Sequence, residues 1–294
     1  MENEKVYNNH TVIVLGITDN WVFAAGTILL GIKKYTTKRN FDIIIFHQNL
    51  SAKNKEFLNK ILPCNFIQFD ESKINSERFI KITKMAFSIY ECLTLFQKYE
   101  KVIWLDADIV IIGNIDQLMG INFSQDIAMY NRRVPIGRDL DKPLPQYNMN
   151  KNCFNSGVVI FNKKISNPLK IKDFLYLITN NFSEHIAGDQ SAINIALQEF
   201  NLKIYPLEEK YNCLPEKSYS RKVKDVRIVH PRGAKCFWKN LIDLQWDEYY
   251  YQWCKMGGDG PKLPFPIKRK ILHLLNYISP NLEYYIRVIW KKIR

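Results

Sequence analysis

The stretch Lys101-Val-Ile-Trp-Leu105-Asp106-Ala107-Asp108-Ile109-Val-Ile-Ile112-Gly113-Asn114 sets two carboxylates between two apolar runs. Val102 to Leu105 is a continuous apolar segment, as expected of a strand buried on both faces of a parallel sheet. Charges flanked in this way are costly to bury unless a cation or a hydrogen-bonding partner meets them. At the mouth of a strand, carboxylates at i and i+2 can hold a hard divalent cation, Mn²⁺ or Mg²⁺, which takes its remaining oxygens from a diphosphate. A merely structural acidic pair is the alternative, and the spacing alone does not choose. Asp139-Leu140-Asp141 has the same spacing in a polar loop with no strand before it, and reads as solvated surface.

Working outward, the chain before this stretch alternates strand and helix patterns. Val12 to Leu15 is a short apolar strand, and Trp21 to Ile32 continues into Lys33-Lys34 as a helix with a basic last turn. Asp42 to His47 is a second strand, Ser51 can cap a polar helix reaching Lys60, and Asn65 to Phe69 is a third strand. Lys84 to Phe96 then forms the helix that leads into Lys101. This order implies an α/β fold with a mostly parallel central sheet of Rossmann type, whose ligands gather at the carboxyl ends of the strands.

The chain after the acidic pair is less regular. Ile127 to Tyr130 reads as a strand, and residues 131–152, with Pro135, Gly137, Pro143 and Pro145, as a long lid or binding loop. Gly157 to Phe161 is a strand and Gln190 to Phe200 a helix, while Arg227-Ile-Val-His230 is a short strand that delivers a histidine to its end. Gly257-Gly258-Asp259-Gly260-Pro261 is a linker, dividing the chain into a domain over 1–256 and an extension over 257–294.

Charge and cysteines restrict the class. The net charge is +13, and eight Lys and Arg against one Glu put +7 of it in residues 262–294. Six cysteines (Cys64, Cys92, Cys153, Cys213, Cys236, Cys254) form no C-x-x-C, which suits reduced thiols in a cytoplasmic protein rather than a zinc site or a disulfide framework. No apolar run approaches the ~20 residues that span a bilayer, and the polar first ten residues do not read as a signal peptide. A basic chain can meet nucleic acid, but no zinc, helix-turn-helix or RNP-like motif supports that partner.

Several blocks together resemble glycosyltransferase family 8, which includes glycogenin and bacterial lipooligosaccharide galactosyltransferases. Trp104 to Asp116 is similar to the family's metal-binding signature, and Thr18-Asp19-Asn20-Trp21, with Ile17 before it, to its uracil-binding segment. Ile82-Thr83-Lys84-Met85 resembles the segment whose basic residue meets the donor phosphates. Phe154-Asn155-Ser156-Gly157 to Asn162 resembles the sugar-contacting strand, and Gly188-Asp189-Gln190 to Asn194 the helix start beneath the donor sugar. His230-Pro-Arg232-Gly233 is similar to the His-x-x-Gly block.

The resemblance runs from about Val12 to Trp238 and implies a GT-A-like domain that transfers a sugar with retention from a nucleotide-sugar donor, UDP-galactose or UDP-glucose. It implies that Asp106, Asp108 and His230 hold Mn²⁺ (or Mg²⁺) around Ala107, and that Lys84 and Lys235 steady the diphosphate beside Gly233. It further implies that Asn155, Ser156, Asp189 and Gln190 face the sugar, with Gln190 and Asp189 the catalytic residues, and that the acceptor attacks from the leaving-group side. The block departs from the family pattern after Gly233: Lys235 comes one residue early and Phe237 stands where a proline is usual, so either Lys235 or Arg232 is the cation at the diphosphate. A catalytically weak nucleotide-sugar-binding protein of the same fold is the competing reading.

The extension reads as two basic amphipathic helices. Ile267, Ile271, Leu274, Leu275 and Ile278 share one helical stripe, and Leu282, Tyr285, Ile286, Ile289 and Ile293 a second, with Lys and Arg beside both. Such helices suit an anionic bilayer surface, the alternative being packing on the catalytic domain or on a second subunit. The expectation is a peripheral attachment to the inner face of the cell membrane and a glycan or lipid-linked acceptor of the bacterial cell envelope.

Overall fold

A computed structural model describes residues 10–81, 84–232, 236–239, 241, 243–264, 266–279, 285, 286 and 289. Its centre is a seven-stranded sheet in the order β3-β2-β1-β4-β7-β6-β8. The parallel half comprises β1 (Thr11–Thr18), β2 (Phe41–Gln48), β3 (Asn65–Gln68) and β4 (Lys101–Leu105). α1 (Val22–Tyr35) and α2 (Ala52–Ile61) connect the first three strands, and Ser51 caps α2 by accepting from the Asn54 backbone N–H. The helical segment Lys84–Gln97 leads into β4.

Beyond β4 come the two-residue β5 (Val110–Ile111), α3 (Asp116–Gly120), β6 (Ile127–Pro135) and β7 (Asn152–Asn162). β7 is antiparallel to both β4 and β6. α4 (Pro168–Asn181), α5 (Asp189–Glu199) and β8 (Ile204–Pro206) follow, then α6 (Pro215–Tyr219) and β9 (Ile228–Val229). β9 pairs with β5 in a small separate sheet. α7 (Leu244–Lys255) and α8 (Pro266–Ile278) come last in the element order.

The alternate residues of β1 explain the layering. Ile13, Leu15 and Ile17 enter a core formed with α1, α2 and α7, whereas Val12 and Val14 enter a second core with the Lys84–Gln97 helix, α4 and α5. A strand covered by helices on both sides has no face left for polar residues, and this is why it reads as unbroken apolar sequence.

Two expectations about the second half are corrected. β6 runs on to Pro135 through a shift of register between Asn131 and Pro135, so the irregular loop is shorter than 131–152. The loop is also fastened rather than free: Ile136, Leu140 and Leu144 are buried in the second core, and Leu140 bridges to Ile186. Asp139-Leu140-Asp141 is not solvated surface throughout. Asp141 is exposed and pairs with Arg78, but the Asp139 side chain keeps only 11% of its surface and points inward.

Candidate active site

The antiparallel pairing of β4 with β7 aligns Leu105 with Val158, so the chain beyond Leu105 meets Asn155-Ser156-Gly157, and the Asp106 N–H donates to the Gly157 carbonyl. β5 and β9 pair Val110 with Val229, which brings the next residue, His230, back over Asp108. Three segments far apart in sequence thus converge at the carboxyl end of β4.

His230 Nε2 stands 3.1 Å from Asp108 Oδ1 and 3.6 Å from Asp106 Oδ2, and one ligand atom from each residue lies within 4.8 Å of the others. Trp104 Nε1–H donates to the remaining Asp106 oxygen at 2.8 Å. His230 is 2% exposed, and a Cβ at residue 157 would lie 2.0 Å from its ring, so only glycine lets β7 pass beneath the imidazole.

Two carboxylates and one imidazole gathered within 4.8 Å suit a divalent cation of the Mn²⁺ or Mg²⁺ type that completes its shell from a ligand. The charges fit the same reading. Burial pushes the Asp106 carboxyl up to about 7, with His230 opposing and the Asp108 charge adding to the rise; 31% of its side chain reaches solvent, but the rest of the group is crowded. Burial works against a charged His230, yet the adjacent Asp108 and Asp106 outweigh it and raise its pKa. Protons and a cation would therefore compete for the same atoms.

Behind the cluster runs a chain of side-chain amides whose polarity can be read from the backbone. The Gly157 N–H donates to Asn155 Oδ1 at 3.1 Å and the Ser156 N–H to Gln190 Oε1 at 3.3 Å, which identifies both oxygens. Asn155 Nδ2 therefore donates to Gln190 Oε1 (2.7 Å), and Asn212 Nδ2 to Asn155 Oδ1 (2.7 Å). Asn212 is left with its oxygen facing His230 Nδ1 at 3.0 Å, so Nδ1–H donates there, and Nε2, turned toward the carboxylates, is the nitrogen that could ligate a cation once it has given up its proton. Asp189 opens α5 behind Gly188. Burial pushes its carboxyl up to about 6, while the Ser156 hydroxyl and the N–H groups of Asp189 and Gln190 pull the other way.

The remaining expected residues are dispersed around this centre. Ile17 is buried at the end of β1, and Thr18 Oγ1 bonds Asn20 Oδ1 at 2.5 Å. The Asp19 carboxylate accepts from the Ser51 N–H and from Asn54 Nδ2, tying the β1 end to the start of α2. Ala107 packs against the first core. Lys84 Nζ donates to the Ile74 carbonyl at 2.6 Å. Arg232 has a positive φ, lies over the Tyr130 ring and donates to the Asn212 carbonyl. Ile82, Thr83, Gly233 and Lys235 lie outside the described residues.

Sequence reading missed Asn212, Asp139 and Arg132. Nothing around Asn212 marks it, since it leads into no strand or helix pattern. The spacing of Ile136, Leu140 and Leu144 was the available sign that the loop carrying Asp139 is packed.

The structure is an α/β domain with an acid–acid–histidine cluster that could hold a divalent cation at the carboxyl end of β4. The model of glycosyl transferase family 8 matches residues 12–241, and the chain belongs to that family. It is accordingly a glycosyltransferase. The chain is 20% identical over 293 residues to a lipopolysaccharide 1,2-glucosyltransferase of Escherichia coli K12, covering 91% of this chain and 87% of that protein. It is 28% identical over 110 residues to the uncharacterized protein R707 of Acanthamoeba polyphaga mimivirus, of which it spans only 38%.

Among solved structures it resembles the galactosyltransferase LgtC in complex with donor and acceptor sugar analogs (TM-score 0.63, 11% identity, 84% of this chain and 99% of that one). It also resembles the bifunctional glycosyltransferase WbbM (TM-score 0.66, 16% identity, 86% of this chain and 52% of that one). At these identities the likeness to LgtC and WbbM bears on the fold.

Proposed function

We propose that this glycosyltransferase moves a hexose, galactose or glucose, from a UDP-sugar to a glycan acceptor of the bacterial cell envelope, with retention of configuration and dependence on Mn²⁺. The observation that carries the reading is the convergence of Asp106, Asp108 and His230 beside the Asn155–Gln190 amides. Asp106, Asp108 and His230 Nε2 would hold the cation, which when bound supplies charge neutralisation on the departing nucleoside diphosphate. Family membership and the relatives' names, a glucosyltransferase and a galactosyltransferase, support a hexose as the transferred group.

This chain's own residues divide the remaining work. Asn155, Ser156, Asp189 and Gln190 lie next to the cluster, Asn155 and Ser156 almost fully buried, and would keep the sugar in one orientation. Ile17, Thr18, Asp19 and Asn20 stand at the carboxyl end of β1, the edge where a nucleotide base would lie. Lys84, Gly233 and Lys235 are assigned to the diphosphate, with Arg232 as the other candidate cation. The acceptor hydroxyl would attack from the leaving-group side, helped mainly by preorganised charge.

We further propose that the extension attaches the enzyme to the inner face of the cell membrane, giving access to a lipid-linked or envelope acceptor. No helix among the described residues is long and apolar enough to cross a membrane. α8 supports a lodging on the surface instead: Arg269 and Leu272 face the protein, while Ile267 (74% exposed), Ile271, Leu274 (61%) and Ile278 are turned outward beside Lys268 and Lys270. Of the second apolar stripe, Leu282 and Ile293 lie outside the described residues, and Tyr285 and Ile289 are exposed.

The deciding experiment is a screen of UDP-sugars for Mn²⁺-dependent hydrolysis and transfer. Release of UDP from one hexose donor, abolished by chelation, is the expected result. Mn²⁺-dependent UDP binding with no turnover of any donor would instead support the catalytically weak binding protein.

A further inference from the structure

Gln190 makes a contact that neither the acidic cluster nor the sugar-facing residues account for. Its Nε2 donates to Asp139 Oδ1 at 2.5 Å, from the loop that precedes β7. Asp139 is itself held by two further groups: Arg132 Nη1 donates to the same oxygen at 2.6 Å, and Ser191 Oγ donates to the Asp139 carbonyl at 2.6 Å and lies 3.3 Å from Oδ2. The carboxylate is buried with a guanidinium partner, and burying it unpaired would be costly.

Arg132 reaches this position through the irregular stretch of β6. The register shifts between Asn131 and Pro135, Arg133 takes a positive φ of 56°, and its N–H is received by Asn131 Oδ1. A bulge of this kind re-aims the side chain next to it. The loop returns with Ile136 and Leu140 in the core, which sets the height of Asp139 over α5.

From this we infer that Asp139, fastened by Arg132, is a positioning residue that fixes the orientation of the Gln190 amide in the donor site. The inference rests on the reading of Gln190 as a sugar-facing residue. A terminal amide has two nearly equivalent orientations, related by exchange of its oxygen and nitrogen. Asn155 Nδ2 and the Ser156 N–H select the oxygen on one side, and the Asp139 carboxylate selects the nitrogen on the other. Exchange would set two donors against Gln190 Nε2 and a carboxylate against Oε1. Asp139 thus closes the amide chain that begins at His230 and holds the Gln190 amide in a single orientation.

The experiment is a double-mutant cycle on the full chain with Asp139→Asn, Gln190→Glu and the paired variant, plus Asp139→Ala. Asp139→Ala is expected to lower turnover of the UDP-sugar by about 10- to 100-fold, the scale of one lost charged hydrogen bond, with Mn²⁺-dependent UDP affinity within about twofold of the parent. Gln190→Glu alone sets two carboxylates together, whereas the paired variant restores a donor to acceptor contact with the roles reversed. The paired variant should exceed the product of the single effects about tenfold in turnover, and its Tm should stand above the value that the two singles predict by addition.

Additive effects in both turnover and Tm would overturn the pairing. A fall in UDP affinity that matches the fall in turnover in Asp139→Ala would overturn the positioning role and assign Asp139 to the general framework. Coupling in Tm with no UDP-sugar turnover by the parent protein would sink the transferase reading of the site while upholding the Asp139–Gln190 pair.

Discussion

Asn212 Oδ1 lies 3.0 Å from His230 Nδ1, an amide set directly behind the imidazole of the acidic cluster. Asn212 is fully buried and its other amide atom is committed to Asn155, so it cannot turn to offer a donor instead. It holds His230 in the tautomer whose Nε2 faces Asp106 and Asp108. Asn212→Leu is expected to weaken Mn²⁺ binding by about 10- to 100-fold, the usual cost of losing such an outer partner. Asn212→Asp, which keeps the acceptor, should lose less. Mn²⁺ titration in the presence of UDP, followed by calorimetry, checks the order; equal affinity in the leucine variant would remove the role.

Asp106→Asn and Asp108→Asn should each lower transfer by about 100-fold or more, because an amide supplies no anionic ligand to a divalent cation. Their fold should survive, as the amide keeps the shape of the carboxyl group. Asp141→Asn is the suitable control, an exposed carboxylate paired only with Arg78 among the described residues. Asp139→Asn is not a control, given its contacts with Gln190 and Arg132. Retained Mn²⁺-dependent activity in the Asp108 variant would contradict the assignment.

Metal affinity should follow pH with a definite sign. The Asp106 carboxyl is pushed up to about 7 by burial, and His230 is raised by its carboxylate neighbours, so protons compete for the same atoms as the cation. Binding should therefore weaken as pH falls from 8 through 7 to 6, by about tenfold for each proton displaced per unit. Mn²⁺ titrations in buffers of differing ionisation enthalpy would reveal the released protons. An affinity that is flat across this range is inconsistent with the cluster.

Arg269 of α8 is 2% exposed and pairs with Asp247 of α7, which is fully buried, while also donating to the carbonyls of Trp238 and Leu241. Arg269→Ala leaves that buried carboxylate without its guanidinium, only His273 remaining beside it, and should cost about 3–5 kcal/mol, read from urea unfolding. Burial already pushes Asp247 up to about 6, against the pull of Arg269 and His273. A carboxylate with a raised native pKa is relieved by protonation, so the loss should be larger at pH 8 than at pH 5. Asp247→Asn should rescue part of it. The same contacts mean that cutting the chain after Gly260 would disturb the catalytic domain as well as remove the tail.

Membrane attachment is better tested by substitutions on the outward stripe of α8. Ile267→Asp with Leu274→Asp should abolish sedimentation with anionic vesicles and leave UDP-sugar hydrolysis within about twofold of the parent, since both side chains are turned to solvent. Added salt should weaken the binding of the parent protein, because part of the attraction is screened charge. Unchanged sedimentation of the double variant would leave the stripe without a membrane role.

Much of this protein is determined by local pattern. The apolar runs of β1, β2 and β4 are what strands covered on both faces require, and the ordered blocks from Thr18 to His230 carry the family membership because each block is contiguous. Such features need no knowledge of what folds against what. Asp106 and Asp108 are two residues apart, and their meeting with His230 was legible through the family pattern alone.

Tertiary structure decided the rest, and the cause is the same each time. Asp139 looks solvated next to Asp141, yet the burial of Ile136 and Leu140 turns it onto α5, where Arg132 and Gln190 meet it. Asn212 acquires its role because β9 returns His230 beside it, and Arg269 becomes a buried clamp because Asp247 lies 22 positions away in sequence and in contact in space. A polar side chain's role depends on which partners desolvate it and complete its hydrogen bonds, and these come from segments brought together only when the two cores close.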